Sequence, residues 1–407
     1  MNSKLLHTPV GVRDIYGDEY QSKLFLEQQI HTIFKSYGYY DIQTPMFEFF
    51  DIFNKERGSV AAKNLYKFFD REGNTLVLRP DMTPSIARSA AKYYMEEKMP
   101  IRLCYQGSAF INNSEYQGKL KEFTQMGCEL IGDNSSDCDA ELIAMVIEAL
   151  NASNLTEFQI EIGQADFFRG IVEEAELDEE TVEELRELLE NKKYFGIDDV
   201  LSGAAISEET KNIFHQFPEL FGSIDMIERA KTFTTNEKSL QALDRLEKIY
   251  HLLKIYGYEK YISFDLSMLS MYQYYTGVVF KGYTYGTGDA IVTGGRYDNL
   301  LAQFGKKAPA IGFAVNVDGL YLALNRQHLA PVPERKIVLM IYPCEQKQTA
   351  IRESQKLREN GIDVILLRKH SDYTEADCLA YAKRMNIKEY YMVDESGIHK
   401  NRMESED

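Results

Sequence analysis

The chain has 407 residues, 44% of them apolar, with 46 Lys and Arg against 63 Asp and Glu and a formal charge of −17. That length accommodates one large core plus one or two smaller modules, and the acidic balance, without any Lys/Arg-rich block, disfavours a partner held through its phosphate backbone. Five scattered cysteines without a C-x-x-C pair fit reduced, buried thiols and no metal site. No apolar run reaches the roughly 20 residues that span a bilayer and the first residues lack an apolar leader core, so a cytoplasmic protein with no membrane partner is expected.

In chain order, residues 18–37 place Leu24, Ile30, Ile33 and Phe34 at near-helical spacing, with Gly38 just beyond. This predicts an amphipathic helix stopped by a C-cap glycine. The aromatic stretch that follows is interrupted by Pro45 and reads as an extended segment at a sheet edge or a dimer seam. Strand-like runs recur at LYKFFD, TLVLRPD, IRLCYQGSAF and KEFTQMGCELIG, with a helix between them from Thr83 to Tyr94. Several strands with few intervening helices predict an α+β class with a largely antiparallel sheet flanked by helices.

From 166 to 256 the texture turns Glu- and Leu-rich with a period of three to four residues, which predicts a helical insertion with acidic, solvated outer faces. Strand signatures resume at YISFDLSML, YYTGVVFKGYTYG, AIVTGGRYDNLL and AIGFAVNVDGLYLAL, so the sheet is expected from two parts of the chain, 1–165 and 257–330. Beyond Pro331 and Pro333, alternating strands and helices predict a small C-terminal α/β module over 336–407, of βαβαβ order.

Candidate chemistry sits in the sheet region. If KEFTQMGCELIG is a strand, Gln125, Gly127 and Glu129 share one face while Thr124, Met126, Cys128 and Leu130 take the other. An amide and a carboxylate then flank a gap left by Gly127, suited to a small cationic or multiply hydrogen-bonding ligand. A half-solvated strand with its polar residues outward is the alternative. Asp81 and Thr83 precede an apolar helix with Pro84 in its first turn, where either can simply cap that helix. Tyr274 and Tyr275 are adjacent and point to opposite faces of an extended segment, so one of them lines a cleft directly. GGRYDNLL supplies glycines for close backbone approach but lacks the P-loop and dinucleotide spacings.

Seven blocks, TPVGVRD, YGYYDIQTP, LRPDMTP, FTQMGCE, YYTGVVF, GGRYDNLLAQFG and AIGFAVNVDGL, occur in one order across residues 5–325. In this they resemble the class II histidyl-tRNA synthetase family and, more closely, its non-synthetase paralogues, the regulatory subunits of ATP phosphoribosyltransferase. The resemblance implies a class II aminoacyl-tRNA synthetase-like sheet and a histidine pocket formed by Asp81, Thr83, Gln125, Glu129, Tyr274 and Tyr275. Asp81 stands where the synthetases usually have Glu, one methylene longer. A carboxylate, a hydroxyl and an amide suit an α-ammonium group, and a second carboxylate with a phenol can bracket an imidazole.

The same resemblance places arginines over ATP at three positions that here carry Ile111, Ser270 and Gly319. Losing one donor to the charge that builds on the α-phosphate costs roughly 10² to 10³ in rate, so adenylation, and with it any catalytic role, is expected to be absent. Lys119 and Lys121 remain nearby but lack the planar fork of arginine. The implied role is non-catalytic: free histidine as ligand, no cofactor, and a short-form catalytic subunit as partner in a hetero-octamer built on homodimers of this chain. An active histidyl-tRNA synthetase and a synthetase-like tRNA-binding sensor are the competing expectations, and the C-terminal module resembles a shortened anticodon-binding domain.

Overall fold

The computed structural model describes residues 6–53, 60–113, 119–202, 206–269, 275–332, 336–370 and 372–403. The chain forms two compact units, Met1–Pro331 and Val332–Asp407. Among the described residues the first unit holds a nine-stranded sheet in the order Tyr40–Asp41, Ile101–Phe110, Glu122–Ile131, Ala310–Asn316, Val292–Arg296, Val278–Thr284, Phe158–Gln164, Ile262–Asp265, Phe221–Gly222. Its central pairings are antiparallel, while Tyr40–Asp41 runs parallel to Ile101–Phe110 and Phe158–Gln164 parallel to Ile262–Asp265. The sheet is thus assembled from two stretches of chain on either side of a helical region.

One face is covered by helices Gly17–Ser36, Ser136–Ala152 and Glu237–Ile255, which bury Leu26, Ile30, Phe34, Ile143 and Leu246 with Met126, Cys128 and Leu130 of the sheet. The first helix ends as expected, with Gly38 at φ 79 and its N–H donating to the Lys35 carbonyl at 3.0 Å. Its buried stripe is displaced from the apolar spacing, however, because Leu24 is 40% exposed while Lys23 and Glu27 are buried. Both polar side chains have partners: Lys23 Nζ donates to Asp318 Oδ1 at 2.7 Å, and Gln106 Nε2 donates to Glu27 Oε2 at 2.6 Å. A paired polar group tolerates burial, so the stripe does not need an apolar residue at every position.

On the opposite face helix Thr83–Tyr93 packs Ile86, Ala87 and Ala90 against Leu103, Tyr105, Ile131 and Tyr297. The runs at 65–70 and 75–81 do not enter the large sheet. Their strands Lys67–Phe69 and Thr75–Leu78 pair with each other, and Phe47–Phe49 pairs with the other edge of Thr75–Leu78, in a separate three-stranded sheet tied to the large one by the buried Arg79 guanidinium, which donates to the carbonyls of Thr44, Pro45 and Ser108 at 2.8, 3.1 and 2.8 Å. A side chain replaces the ladder there, which strand propensity alone does not register.

The 166–256 stretch is helical as expected, in pieces Ala165–Glu174, Glu179–Glu190, Ile197–Ser202, Glu208–Gln216, Asp225–Lys231 and Glu237–Ile255. Asp178 starts one of them by accepting from the N–H groups of Glu180 and Thr181. The unforeseen element is Phe221–Gly222, which leaves the helices to pair at the sheet edge.

In the second unit Asp363–Arg368, Ile337–Tyr342 and Glu389–Asp394 form the expected parallel set, with helices Lys347–Glu359 and Glu375–Arg384. A fourth strand, Gly397–Arg402, adds an antiparallel edge that the sequence reading missed. Its residues, GIHKNR, lack an apolar face because an edge strand is kept charged rather than buried. Of the cysteines, Cys104, Cys128, Cys138 and Cys378 are free and buried as expected, whereas Cys344 is exposed. Among the described residues no helix is long and apolar enough to cross a membrane.

Candidate functional site

Strand Glu122–Ile131 lies in the middle of the sheet, and its alternation turns Gln125, Gly127 and Glu129 toward helix Thr83–Tyr93. This face is buried, not half-solvated: Gln125 is 9% exposed and Glu129 is fully enclosed. The Glu129 carboxyl accepts from the Thr83 hydroxyl at 2.8 Å through one oxygen, and its other oxygen bonds the Tyr297 hydroxyl. Gly312, opposite Glu129 in register, leaves the space that the carboxyl fills, and a Cβ there would overlap it.

Asp81, Thr83, Gln125, Tyr275, Thr293 and Tyr297 converge on one cleft. Asp81 accepts from the Thr83 N–H at 3.3 Å and Gln125 from the Met82 N–H at 3.2 Å, so both also brace the start of the helix. The capping role and the lining role coexist.

Two details depart from the expected arrangement. The gap beside Gly127 is not open to a ligand, because the Tyr105 hydroxyl occupies it and donates to the Phe313 carbonyl at 3.3 Å. Glu129 lies beneath the cleft wall, holding Thr83 and Tyr297, rather than on the wall itself. Of the tyrosine pair, Tyr275 is on the wall, and Tyr274 lies outside the described residues.

Burial pushes the Glu129 carboxyl up to about 8, against the pull of its Tyr297 and Thr83 hydrogen bonds, and the neighbouring Asp81 charge pushes it the same way as burial. The group is therefore mostly protonated near neutrality. Burial also raises the Tyr297 and Tyr105 phenols well above their ordinary value, which keeps both as hydrogen-bond donors.

The described positions read as lost adenylation arginines, Ile111 and Gly319, are not on the cleft wall. Ile111 directly follows strand Ile101–Phe110 and its N–H donates to the Lys121 carbonyl at 2.9 Å. Gly319 sits in the first turn of helix Val317–Arg326, donating to the N-cap Asn316 side chain at 3.0 Å. Asp318 is engaged by Lys23 and by the Thr124 N–H at 2.6 Å, and Lys119 is paired with Asp289 at 2.9 Å. Lysines are present but two of them are committed to carboxylates, and Ser270 lies outside the described residues.

Sequence reasoning missed Tyr297, Thr293 and Tyr105. Tyr297 stands inside GGRYDNLL, a block read for its glycines, and those glycines serve side chains rather than phosphate. A Cβ at Gly295 would meet the Tyr275 ring at 2.9 Å. Arg296 beside it is a structural anchor, buried against Asp139 and Asp298 at 3.0 Å each. Away from the cleft, His31, Asp41 and Cys104 bring three potential metal ligands within 4.8 Å of one another. His31 and Lys35 already bond the Asp41 carboxylate at 2.6 and 2.9 Å, so that cluster is internally neutralised.

Residues 11–320 match the family model described as histidyl-tRNA synthetase. A protein of Acetivibrio thermocellus named ATP phosphoribosyltransferase regulatory subunit is 42% identical over 359 residues, 88% of this chain and 86% of the relative. Its namesake in Caldanaerobacter subterraneus is 40% identical, covering 88% of this chain and 93% of the relative. The chain belongs to the ATP phosphoribosyltransferase regulatory subunit family. As a member it is a regulatory rather than a catalytic chain. A Bacillus halodurans structure titled as an ATP phosphoribosyltransferase regulatory subunit/histidyl-tRNA synthetase superposes with a TM-score of 0.84 at 33% identity, covering 95% of this chain and 97% of that one. A Nostoc histidyl-tRNA synthetase superposes at 0.80 with 21% identity, covering 97% and 96%, a likeness of fold. The class II synthetase-like α+β reading of the sequence is thereby borne out.

Proposed function

We propose that this chain is the histidine sensor of a short-form ATP phosphoribosyltransferase, regulating the first step of histidine biosynthesis and required for the catalytic subunit's activity. One observation carries the reading: Asp81, Thr83, Gln125, Tyr275 and Tyr297 meet in one cleft, and by resemblance Ile111 and Gly319 stand where the synthetases carry arginines over ATP. Asp81 and Gln125 suit the ligand's ammonium group, and the tyrosines suit its imidazole. Glu129 acts from beneath by fixing Thr83 and Tyr297. Tyr274 belongs to the same proposed set by resemblance, and the absence of an arginine at Ser270 to the same loss.

Feedback requires histidine to bind one state of the assembly more tightly than another, and the partner's substrates then change histidine affinity by the same factor. The proposed assembly is a hetero-octamer built on homodimers. The small-sheet face carrying Phe47, Phe49 and Phe68, exposed by 52, 56 and 37%, is an apolar surface suited to the homodimer contact. The C-terminal module is proposed as a remnant of an anticodon-binding domain.

The test mixes the purified chain with a short-form catalytic subunit and follows ATP phosphoribosyltransferase activity with and without histidine. Activity should appear on mixing and fall with histidine, and Gln125→Ala should weaken inhibition while assembly persists. Histidine-dependent ATP–pyrophosphate exchange by the chain alone, or inhibition unchanged in Gln125→Ala, overturns the proposal.

A further inference from the structure

A second cavity lies over strands Phe158–Gln164, Ile262–Asp265 and Val278–Thr284 beside the end of helix Glu179–Glu190. It shares no lining residue with the first cleft. Its wall carries Glu161, Glu190, Asp265, Lys192, Lys281 and Tyr283. Some of these charges are already matched: Asp265 holds Lys192 at 3.2 Å and the Ser267 N–H at 2.9 Å, and Glu190 holds Arg186 at 3.0 Å.

Glu161 and Lys281 are different. They face each other in register across two antiparallel strands, yet neither forms a hydrogen bond or ion pair with any described residue. Ser263 stands beside Glu161 on the next strand, on the same face, about nine-tenths buried. Its hydroxyl has no hydrogen-bond partner among the described residues. Ser263 is not itself on the cavity wall. Burial and then the nearby Asp265 raise the Glu161 carboxyl against the pull of the Lys192 and Lys281 charges, and burial pushes the Tyr283 phenol up to about 12, leaving it a donor.

We propose that this cavity is a second ligand site, which takes a small zwitterion by pairing its ammonium with Glu161 and its carboxylate with Lys281 and Tyr283. Three wall carboxylates against two lysines repel a phosphate ester, whereas a molecule with both charges on neighbouring atoms satisfies the uncommitted acid and the uncommitted base together. Free α-amino acids have this chemistry.

The experiment is ligand-observed NMR on the full chain with each common free amino acid and, separately, inorganic phosphate. At least one amino acid should bind, about tenfold more weakly in Lys281→Met and in the isosteric Glu161→Gln, and unchanged in Gln125→Ala. If Lys281→Met misfolds, Glu161→Gln decides. No amino-acid binding that responds to Glu161→Gln overturns the proposal, as does phosphate binding that responds to Lys281→Met. Amino-acid binding lost entirely in Gln125→Ala also overturns it, because all recognition then belongs to the first cleft. Failure of histidine binding at the first cleft would leave this site standing, so the two readings fail separately.

Discussion

Glu129→Gln tests the electrostatics at the base of the first cleft. Burial lifts this carboxyl from the ordinary 4.5 to about 8. The folded chain then keeps a proton that the unfolded chain gives up near 4.5. The stability gained is complete below that value and is lost as pH rises through 8. At about 1.4 kcal/mol for each tenfold difference in proton affinity, the loss is at most about 5 kcal/mol, and water entry or relaxation reduces it. Glutamine keeps the shape of the protonated acid and has no charge to acquire. Urea unfolding of both proteins from about pH 5 to 9 should show a variant-minus-parent stability that grows by a few kcal/mol, mostly below pH 8. Background titrations cancel in that difference. A difference that stays flat, or shrinks as pH rises, would refute the reasoning and mean that the carboxyl is ionised in the folded chain.

Gly312→Ala should cost about 1–3 kcal/mol by overpacking, since its methyl overlaps the Glu129 carboxyl; adding Glu129→Ala should recover part of the loss in thermal melts, and no recovery would mean the clash lies elsewhere. Lys23→Met should cost about 3–5 kcal/mol in urea unfolding by stranding the Asp318 carboxylate, whose side chain is 5% exposed, and Asp318→Asn in the same chain should return much of it. Equal stability of the Lys23→Met single variant and the parent would show that the pair does not hold in solution.

The long periodic elements were legible because their patterns are local: the helix before Gly38, the hairpin formed by Ile101–Phe110 and Glu122–Ile131, and the parallel strands of the C-terminal module. Elements held by distant partners were not. Phe221–Gly222 and Gly397–Arg402 have no apolar alternation of their own and exist because a neighbouring strand offers an edge. Lys23 and Glu27 fall outside the apolar spacing of their helix and are buried because of partners, Asp318 and Gln106, that lie 295 and 79 residues away.

The site shows the same limit in sharper form. Alternation correctly grouped Gln125, Gly127 and Glu129, but it says which way side chains point, not what covers them. In a central strand both faces are covered, so a polar face there signals partners rather than water. Three glycines decide what those partners are. Gly127 admits the Tyr105 hydroxyl, Gly312 admits the Glu129 carboxyl, and Gly295, opposite Gly312, admits the Tyr275 ring. Each guest comes from a segment remote from, or merely adjacent in space to, its glycine, so none of the three fits could be inferred from spacing. The carboxyl is consequently placed under the cleft, where it bonds Thr83 and Tyr297, and the polar part of the cleft wall is formed by hydroxyls, an amide and Asp81. That division is why substitution at Gln125 reports on recognition, whereas substitution at Glu129 reports first on the integrity of the wall.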